Sequence, residues 1–444
     1  MINLSPEIIT LIMFGGLLVG LLTGFPLAVV IGGVALIVGY AVWGGTIGEV
    51  LYTRSWAILL NYTILAVPLF VFMGAMLEHS GIAERLYDVL YLWLGGLRGG
   101  LAIVTVLIGT IMAACVGIIA ASTSMLALVA LPSMVKRGYS KSLAAGSVCA
   151  GGTLGILIPP SIMLVLYGPM SGVSVGKLFF GAFIPGFVLS GLYVSYIALR
   201  SLVQPKVAPP VPVEERGASF LKKTAMLIMA LVPPAILVMS VLGVIFMGIA
   251  APTEAAGIGA FAAALLALAY HRLNLPVLKE VTLLTFRLSG FILLIGTMSF
   301  AFVGVFIGAG CDEVVKGAIL GAPGGRWGAF AIIMFICFIL GMFIDWVGIV
   351  FIMVPIITPI GAALGFDPLW FAMMICVNLQ MSFMTPPFAW AIFIVRGTAA
   401  KELGVTMGDI IHGVIPFVIL IMVGLVLCIA FPELILWLPG MMIK

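Results

Sequence analysis

Apolar stretches, most of them about the length of a membrane crossing, follow one another along almost the whole chain. A crossing helix needs ~20 mainly apolar residues, at ~1.5 Å each, to span ~30 Å of hydrocarbon. Stretches of that kind occupy positions 7–24, 26–46, 57–77, 142–169, 179–200, 224–247, 251–270, 283–309, 369–395 and 411–438. Only 8% of the 444 residues are charged and 64% are apolar, against about 25% charged in soluble domains. Too little polarity remains to cover a water-facing surface, so lipid is the expected solvent. The pattern predicts an all-α polytopic membrane protein.

The remaining composition excludes several functions. A net charge of +4 with no concentrated basic face gives nothing to neutralise phosphates, so nucleic acid is not an expected partner. Cys115, Cys149, Cys311, Cys337, Cys376 and Cys428 form no CxxC pair, and five lie in apolar runs, where free Cys behaves as a small hydrophobe. No Lys or Arg precedes the first apolar run, so that segment is expected to stay as a transmembrane helix rather than a cleaved signal. Gly172-Val173-Ser174-Val175-Gly176 matches a G-x-S-x-G string, but no strand precedes it and His79, His271 and His412 are distant. It reads as a turn between helices. There is no HExxH and no P-loop, so uphill transport would draw on an ion gradient or another subunit.

Two apolar spans, 101–131 and 327–364, are too long for one crossing and contain breakers. Each is either two crossings or a re-entrant hairpin whose tip is covered by protein or cavity water. The segment Arg200–Lys223 holds Pro205, Pro209, Pro210 and Pro212 among charges, and is the one linker-like composition. With the Lys136–Lys141 loop, it is expected in the cytoplasm. The linker divides the chain into two halves. A shift of 227 positions puts Pro132 on Pro359, Gly138 on Gly365, Tyr139 on Phe366, and Pro159-Pro160 on Pro386-Pro387, without a gap. Paired interrupted helices at matching places in two halves point to a transporter site.

The first interruption is Gly151-Gly152-Thr153-Leu154-Gly155-Ile156-Leu157-Ile158-Pro159-Pro160-Ser161. Glycine permits unwinding and each proline removes a donor. A Pro kink that only shapes the bundle is the bland alternative. Thr153 and Ser161 add hydroxyls to the freed backbone, which favours an ion or solute site. The second interruption clusters Asn378, Gln380, Ser382 and Thr385 ahead of Pro386-Pro387; such amides also serve as interhelical glue. Asp345 stands inside an apolar run, where an acid is costly and marks an ion or proton site unless it reaches the headgroups. Glu254, in Pro252-Thr253-Glu254, reads equally as the first turn of a helix. The small and hydroxylated run Gly117–Ser124 fits a hairpin tip or plain helix packing, and the Gly16–Gly20–Gly24 spacing fits packing.

These residues resemble a known family. Gly152-Thr153-Leu154-Gly155-Ile156-Leu157-Ile158-Pro159-Pro160-Ser161, preceded by Lys136-Arg137-Gly138-Tyr139, is similar to the large permease subunit (DctM) of TRAP transporters. So are Phe343-Ile344-Asp345, Asn378-Leu379-Gln380, Met384-Thr385-Pro386-Pro387-Phe388 and Gly413-Val414-Ile415-Pro416-Phe417. The resemblance covers nearly the whole chain. It implies an inverted-repeat, elevator-type transporter of the bacterial inner membrane, with two re-entrant helical hairpins and two unwound transmembrane helices. It implies Na⁺-coupled import of a small solute, usually an organic acid, with a small DctQ-like membrane subunit and a periplasmic binding protein as partners. Scaffold helices would fill 1–100 and 224–326, transport repeats 101–200 and 327–400, a central loop 201–223, and a C-terminal helix 401–444. By motif, Ser122, Gly152, Thr153, Gly155 and Pro159 would line one Na⁺ site. Asp345, Met384, Thr385 and Pro386 would line a second. Asn378 and Gln380 would face solute or ions between them, with Ser161 and Ser382 as further solute candidates.

The chain departs from the family pattern in two places. Ala121-Ser122-Thr123 stands where many relatives have a Ser-Gly-Ser tip, and Val347-Gly348 where many carry a hydroxyl or acid. The runner-up is a stand-alone Na⁺- or H⁺-coupled symporter. A membrane-embedded enzyme is third, and Asp345 has no evident catalytic partner in sequence.

Overall fold

Breaks, more than helix propensity, shape this chain. The computed structural model describes residues 4–117, 119–212, 214, 217 and 219–442, apart from the side chains of 115, 116 and 220. The Cys115 thiol, Ile118 at the first hairpin's tip, and Glu215 and Arg216 of the linker therefore lie outside the described parts. All regular structure among the described residues is helical, and nine helices are long and apolar enough to cross a membrane.

The first half opens with α1 (Pro6–Leu22) and α2 (Leu27–Trp43), an antiparallel pair. A Cβ added to Gly20 would stand 2.4 Å from Val30, so the glycine spacing there is packing. Then come α3 (Ile47–Leu59), α4 (Ala66–His79) and α5 (Ile82–Leu94). The span 101–131 resolves into α6 (Gly100–Val116) and α7 (Ile119–Lys136), packed together as a hairpin. A broken helix follows, α8 (Lys141–Thr153) and α9 (Ile162–Ser171), then α10 (Val175–Val203). Gly172, at φ +71, makes the turn before α10 where the G-x-S-x-G string lies.

The second half runs through α11 (Phe220–Val238), a π turn into α12 (Val244–Phe246), and α13 (Pro252–Ala269). Glu254 accepts from the Ala251 amide at 2.9 Å, the helix-start role rather than a buried site. Next are α14 (Leu275–Gly308), α15 (Cys311–Leu320) and a second hairpin, α16 (Gly325–Gly341) with α17 (Trp346–Ala363). The second broken helix is α18 (Pro368–Ser382) and α19 (Trp390–Thr398), followed by α20 (Met407–Ala430) and α21 (Glu433–Gly440). Asn274, Asp367 and Thr406 cap α14, α18 and α20 by accepting the backbone amide of the third residue of each helix.

The 227-residue register holds in three dimensions. Shifting α7 by 227 lands on α17 at both ends, and α10 ends where α20 ends after the same shift. Gly138 and Gly365 both terminate a hairpin at positive φ, +78 and +75, which a side chain would resist. Pro159-Pro160 and Pro386-Pro387 are both cis.

The repeats are inverted, and α20 demonstrates it. Lys141 Nζ, at the start of α8, donates to the Gly404 carbonyl just before α20. Trp370 Nε1, at the start of the equivalent α18, donates to Cys428 near the far end of α20. The 24 residues of α20 rise ~36 Å, a full bilayer. Equivalent helices therefore enter the membrane from opposite faces. The hairpins cross-brace these halves, because α7 packs on α19 and α17 packs on α9.

Around this unit, α14 leans against α2, α3, α4 and α17, and α4 packs against α13. At 34 residues, α14 is ~51 Å long, well over the bilayer's hydrocarbon, so it must tilt. The linker departs from its composition. The Ser140 amide donates to Val207 at 2.8 Å, Gly99 to Ala208 at 3.1 Å, and Val211 to Gly95 at 2.8 Å. Ala208 and Val211 are buried. Prolines keep this stretch extended, and its free carbonyls and amides pair with the turns beneath the first hairpin.

Candidate functional site

The first broken helix unwinds inside the protein. After α8 ends at Thr153 comes one tight turn, Leu154–Ile156, then Leu157–Ser161 without helix. Pro159 and Pro160 have no amide to give the carbonyls of Gly155 and Ile156. Ser161 Oγ replaces one of them by donating to Ile156, and the Leu157 and Ile158 amides both turn back to Leu154 at 3.0 Å. Every residue from Gly151 to Ser161 is buried. The second broken helix is handled differently. The Ala391 amide donates to Phe383 at 3.1 Å and Thr385 donates to Ser382 at 3.2 Å, while Pro386 and Pro387 are exposed. One break is sealed and its equivalent is open.

Each hairpin tip rests on the break of its own repeat. Gly117 turns at φ +65, and a Cβ there would stand 3.4 Å from the Pro160 carbonyl oxygen. In the second repeat the Phe388 amide donates to the Met342 carbonyl at 3.1 Å. Behind the first tip, Gly152 lies against Thr123, so closely that a Cβ would come within 2.1 Å of Thr123 Oγ1. Ser122 Oγ and Thr123 Oγ1 are buried and have no hydrogen-bond partner. The two breaks meet where Thr153 Oγ1, which donates to Ala150, lies 4.0 Å from Met384 Sδ.

Between these tips and the helices α4 and α14 is a cavity of ≈170 Å³. That is below the ~300 Å³ where sites for drug-sized ligands begin, and suits a small solute. Its wall takes Ile119 and Ala120 from α7, Ile162 from α9, Asp345, Trp346 and Val347 at α17, and Trp390 and Ile394 from α19. Val71 of α4 and Leu288, Phe291 and Ile292 of α14 complete the wall. Ile119, Ile162, Trp346 and Trp390 are each the first residue of their helix. Four helix N-termini therefore converge on one space, each carrying about half a positive charge. Against them stands Asp345, the N-cap of α17, whose side chain closes no cap hydrogen bond and forms no ion pair among the described residues.

Of the sequence-nominated residues, Asp345 alone lines this cavity. Ser161 immediately precedes Ile162 and Ser122 follows Ala120 by two; both are buried and neither lines the cavity. Asn378 Nδ2 donates to Met334 at 2.8 Å and Ser382 Oγ donates to Phe338 at 3.0 Å, tying α18 to carbonyls of α16. Thr385 Oγ1 is taken by Met381 at 2.8 Å. Gln380 is buried with Nε2 unpaired, away from the cavity wall. Trp346, Trp390 and Phe291 carried no sequence signal, because nothing distinguishes a cavity aromatic from a lipid-facing one before the chain is folded.

Two inverted repeats, each a re-entrant hairpin braced on a broken helix, around a small, partly open cavity, define a multi-pass membrane transporter. The profile of the family described as "Tripartite ATP-independent periplasmic transporter, DctM component" matches residues 14–434. The C4-dicarboxylate TRAP transporter large permease protein DctM of Pseudomonas aeruginosa is 32% identical over 383 residues, 86% of this chain and 87% of that one. Its namesake from Rhodobacter capsulatus is 30% identical over 97% of this chain and 99% of its own. The Alcanivorax borkumensis YdaH transporter, whose crystal structure has an unusual topology, superposes with a TM-score of 0.60 over 88% of this chain and 89% of that one, at 16% identity, a likeness of fold. The chain belongs to the DctM family, the large permease components of TRAP transporters, and is a multi-pass inner-membrane transport protein rather than an enzyme.

Proposed function

We propose that this permease imports a small organic acid by Na⁺-coupled elevator transport, working with a DctQ-like small membrane subunit and a periplasmic binding protein. The convergence of four helix N-termini on the cavity carries this reading. Their partial charges favour an anion, in the manner of half-helix ends in other transporters. Asp345 opposes it, since its carboxylate faces the same space. An anionic solute and an ionised Asp345 share one small cavity only if a cation enters with them. Na⁺, a hard cation, suits the carboxylate oxygens that Asp345 brings to an otherwise apolar wall; among the described residues no cluster of His, Cys, Asp and Glu is set up for a transition metal. The unpartnered hydroxyls of Ser122 and Thr123 behind the first tip are available to a second cation near Gly152 and Thr153. The mixed wall of the cavity supports an elevator. Hairpin tips and broken-helix ends form one side, and α4 and α14 form the other. Movement of the first group along the second would carry the solute across.

The test is uptake into proteoliposomes holding the permease and its small subunit. A labelled C4-dicarboxylate is supplied on the binding protein under an inward Na⁺ gradient. Accumulation that needs both binding protein and Na⁺ is expected. Equal accumulation under a K⁺ gradient would refute Na⁺ coupling, and equal accumulation without the binding protein would favour a stand-alone symporter.

A further inference from the structure

A second cavity, ≈680 Å³, shares no lining residue with the first and lies between α5, α11 and α13. Its end of the molecule is fixed by two contacts. The α5–α6 turn is bonded to the linker through Gly95 and Val211, and the Arg272 guanidinium, just past α13, packs 3.5 Å from where a Gly81 Cβ would stand. Both ends of α5 therefore lie at the linker face, and its 13 residues run along the membrane surface rather than through it. Most basic loops collect at this face, which the positive-inside tendency makes cytoplasmic.

The cavity is polar at one end and apolar at the other. Arg85 of α5 lines it with its guanidinium 4.3 Å from the centre of the Tyr270 ring, a cation–π contact that fixes the charge in place. His271 lines it too, held at φ +55, a conformation a non-glycine residue rarely adopts. Deeper, the wall is Met226, Met229 and Ala230 of α11. Lys222 and Lys223, one turn nearer the cytoplasm, share that helix face. Asp88 also lines the cavity, its carboxyl raised above the usual range by desolvation and by the neighbouring Glu84. From Lys222 to Ala230 is ~12 Å along the helix, from headgroup depth into hydrocarbon.

We propose that this groove is a binding site for an anionic phospholipid of the inner leaflet, its phosphate held by Arg85 with help from Lys222, Lys223 and His271, and an acyl chain lying along Met226 and Met229. The order of chemistry along the groove, fixed cations at the interface and flexible thioethers below, is the order along such a lipid. A free phosphate uses only the upper half. The site does not depend on the transport reading, since it shares no residue with the transport cavity.

The test is native mass spectrometry of the purified permease complex titrated with phosphatidylglycerol, with phosphatidylcholine of the same chains, and with inorganic phosphate alone. Wild type is expected to retain one phosphatidylglycerol and no phosphatidylcholine, and phosphate is expected not to displace it. Arg85→Gln is expected to weaken retention about fivefold. Met229→Trp, at an exposed position that tolerates bulk, is expected to weaken it by filling the acyl channel. Equal retention of both lipids, or unchanged retention in both variants, would overturn the proposal. Displacement by phosphate would replace the lipid with a free anion, and occupation of the groove by another protein subunit would replace it with an interface.

Discussion

Thr153 and Met384 face each other across the middle of the molecule, hydroxyl to thioether at 4.0 Å, and so join the two unwound helices. They belong to different repeats and different breaks. An ion bound beside Thr153 is thereby one side chain away from the second break. We expect Thr153→Val, which keeps the volume and deletes the hydroxyl, to raise the Na⁺ concentration for half-maximal uptake about tenfold, the scale of one hydrogen bond to a charged group. Na⁺ titration of uptake in proteoliposomes measures it, with the solute saturating.

Gly152 should not accept a side chain. A Cβ there would stand 2.1 Å from Thr123 Oγ1 and 2.8 Å from Thr123 Cα, so the first hairpin must move. Gly152→Ala is expected to cost about 1–3 kcal/mol as overpacking and to abolish uptake. Gly257→Ala, with open space around it, should change neither. Thermal unfolding in detergent and transport assays on both variants separate these outcomes.

Asn378 distinguishes packing from recognition. Its amide holds the Met334 carbonyl, so Asn378→Leu should lower stability by about 0.6–1.7 kcal/mol, the range of interhelical bonds in membranes. The KM for solute should stay within twofold. A large rise in KM without loss of stability would return Asn378 to the solute site.

If the hairpin tips travel along the scaffold, a link across the cavity must stop them. Ala120 and Phe291 line opposite walls. In a background without the native cysteines, Ala120→Cys with Phe291→Cys, bridged by a short bifunctional thiol reagent, should block uptake, whereas either single variant treated alike should not. Uptake surviving a verified cross-link would show that these walls do not move past each other.

Much of this architecture can be read from punctuation. Gly138, Gly365 and the two Pro-Pro pairs are at fixed places because a left-handed turn and a missing amide each demand one residue type. They carry the repeat although few other positions match. The site was less legible. Asp345 stood out because a lone acid in an apolar run is costly, and it lines the cavity. Asn378 and Ser382 also stood out as polar residues at membrane depth, yet their partners are backbone carbonyls of α16, which no side-chain pattern announces. The convergence of Ile119, Ile162, Trp346 and Trp390 depends on how four helices are aimed, and sequence records where helices start but not where they point. The linker's docking at Ala208 and Val211 was hidden for a similar reason, since a proline-rich composition reads as solvent-exposed.

If a cation neutralises Asp345 when the solute enters, Asp345→Asn should remove the need for that cation. The measurement is solute uptake against Na⁺ concentration in proteoliposomes, with binding protein and small subunit present and the variant's unfolding temperature checked against wild type. Loss of Na⁺ stimulation in a folded variant is the predicted result. A Na⁺ activation curve that overlays the wild-type curve would contradict it.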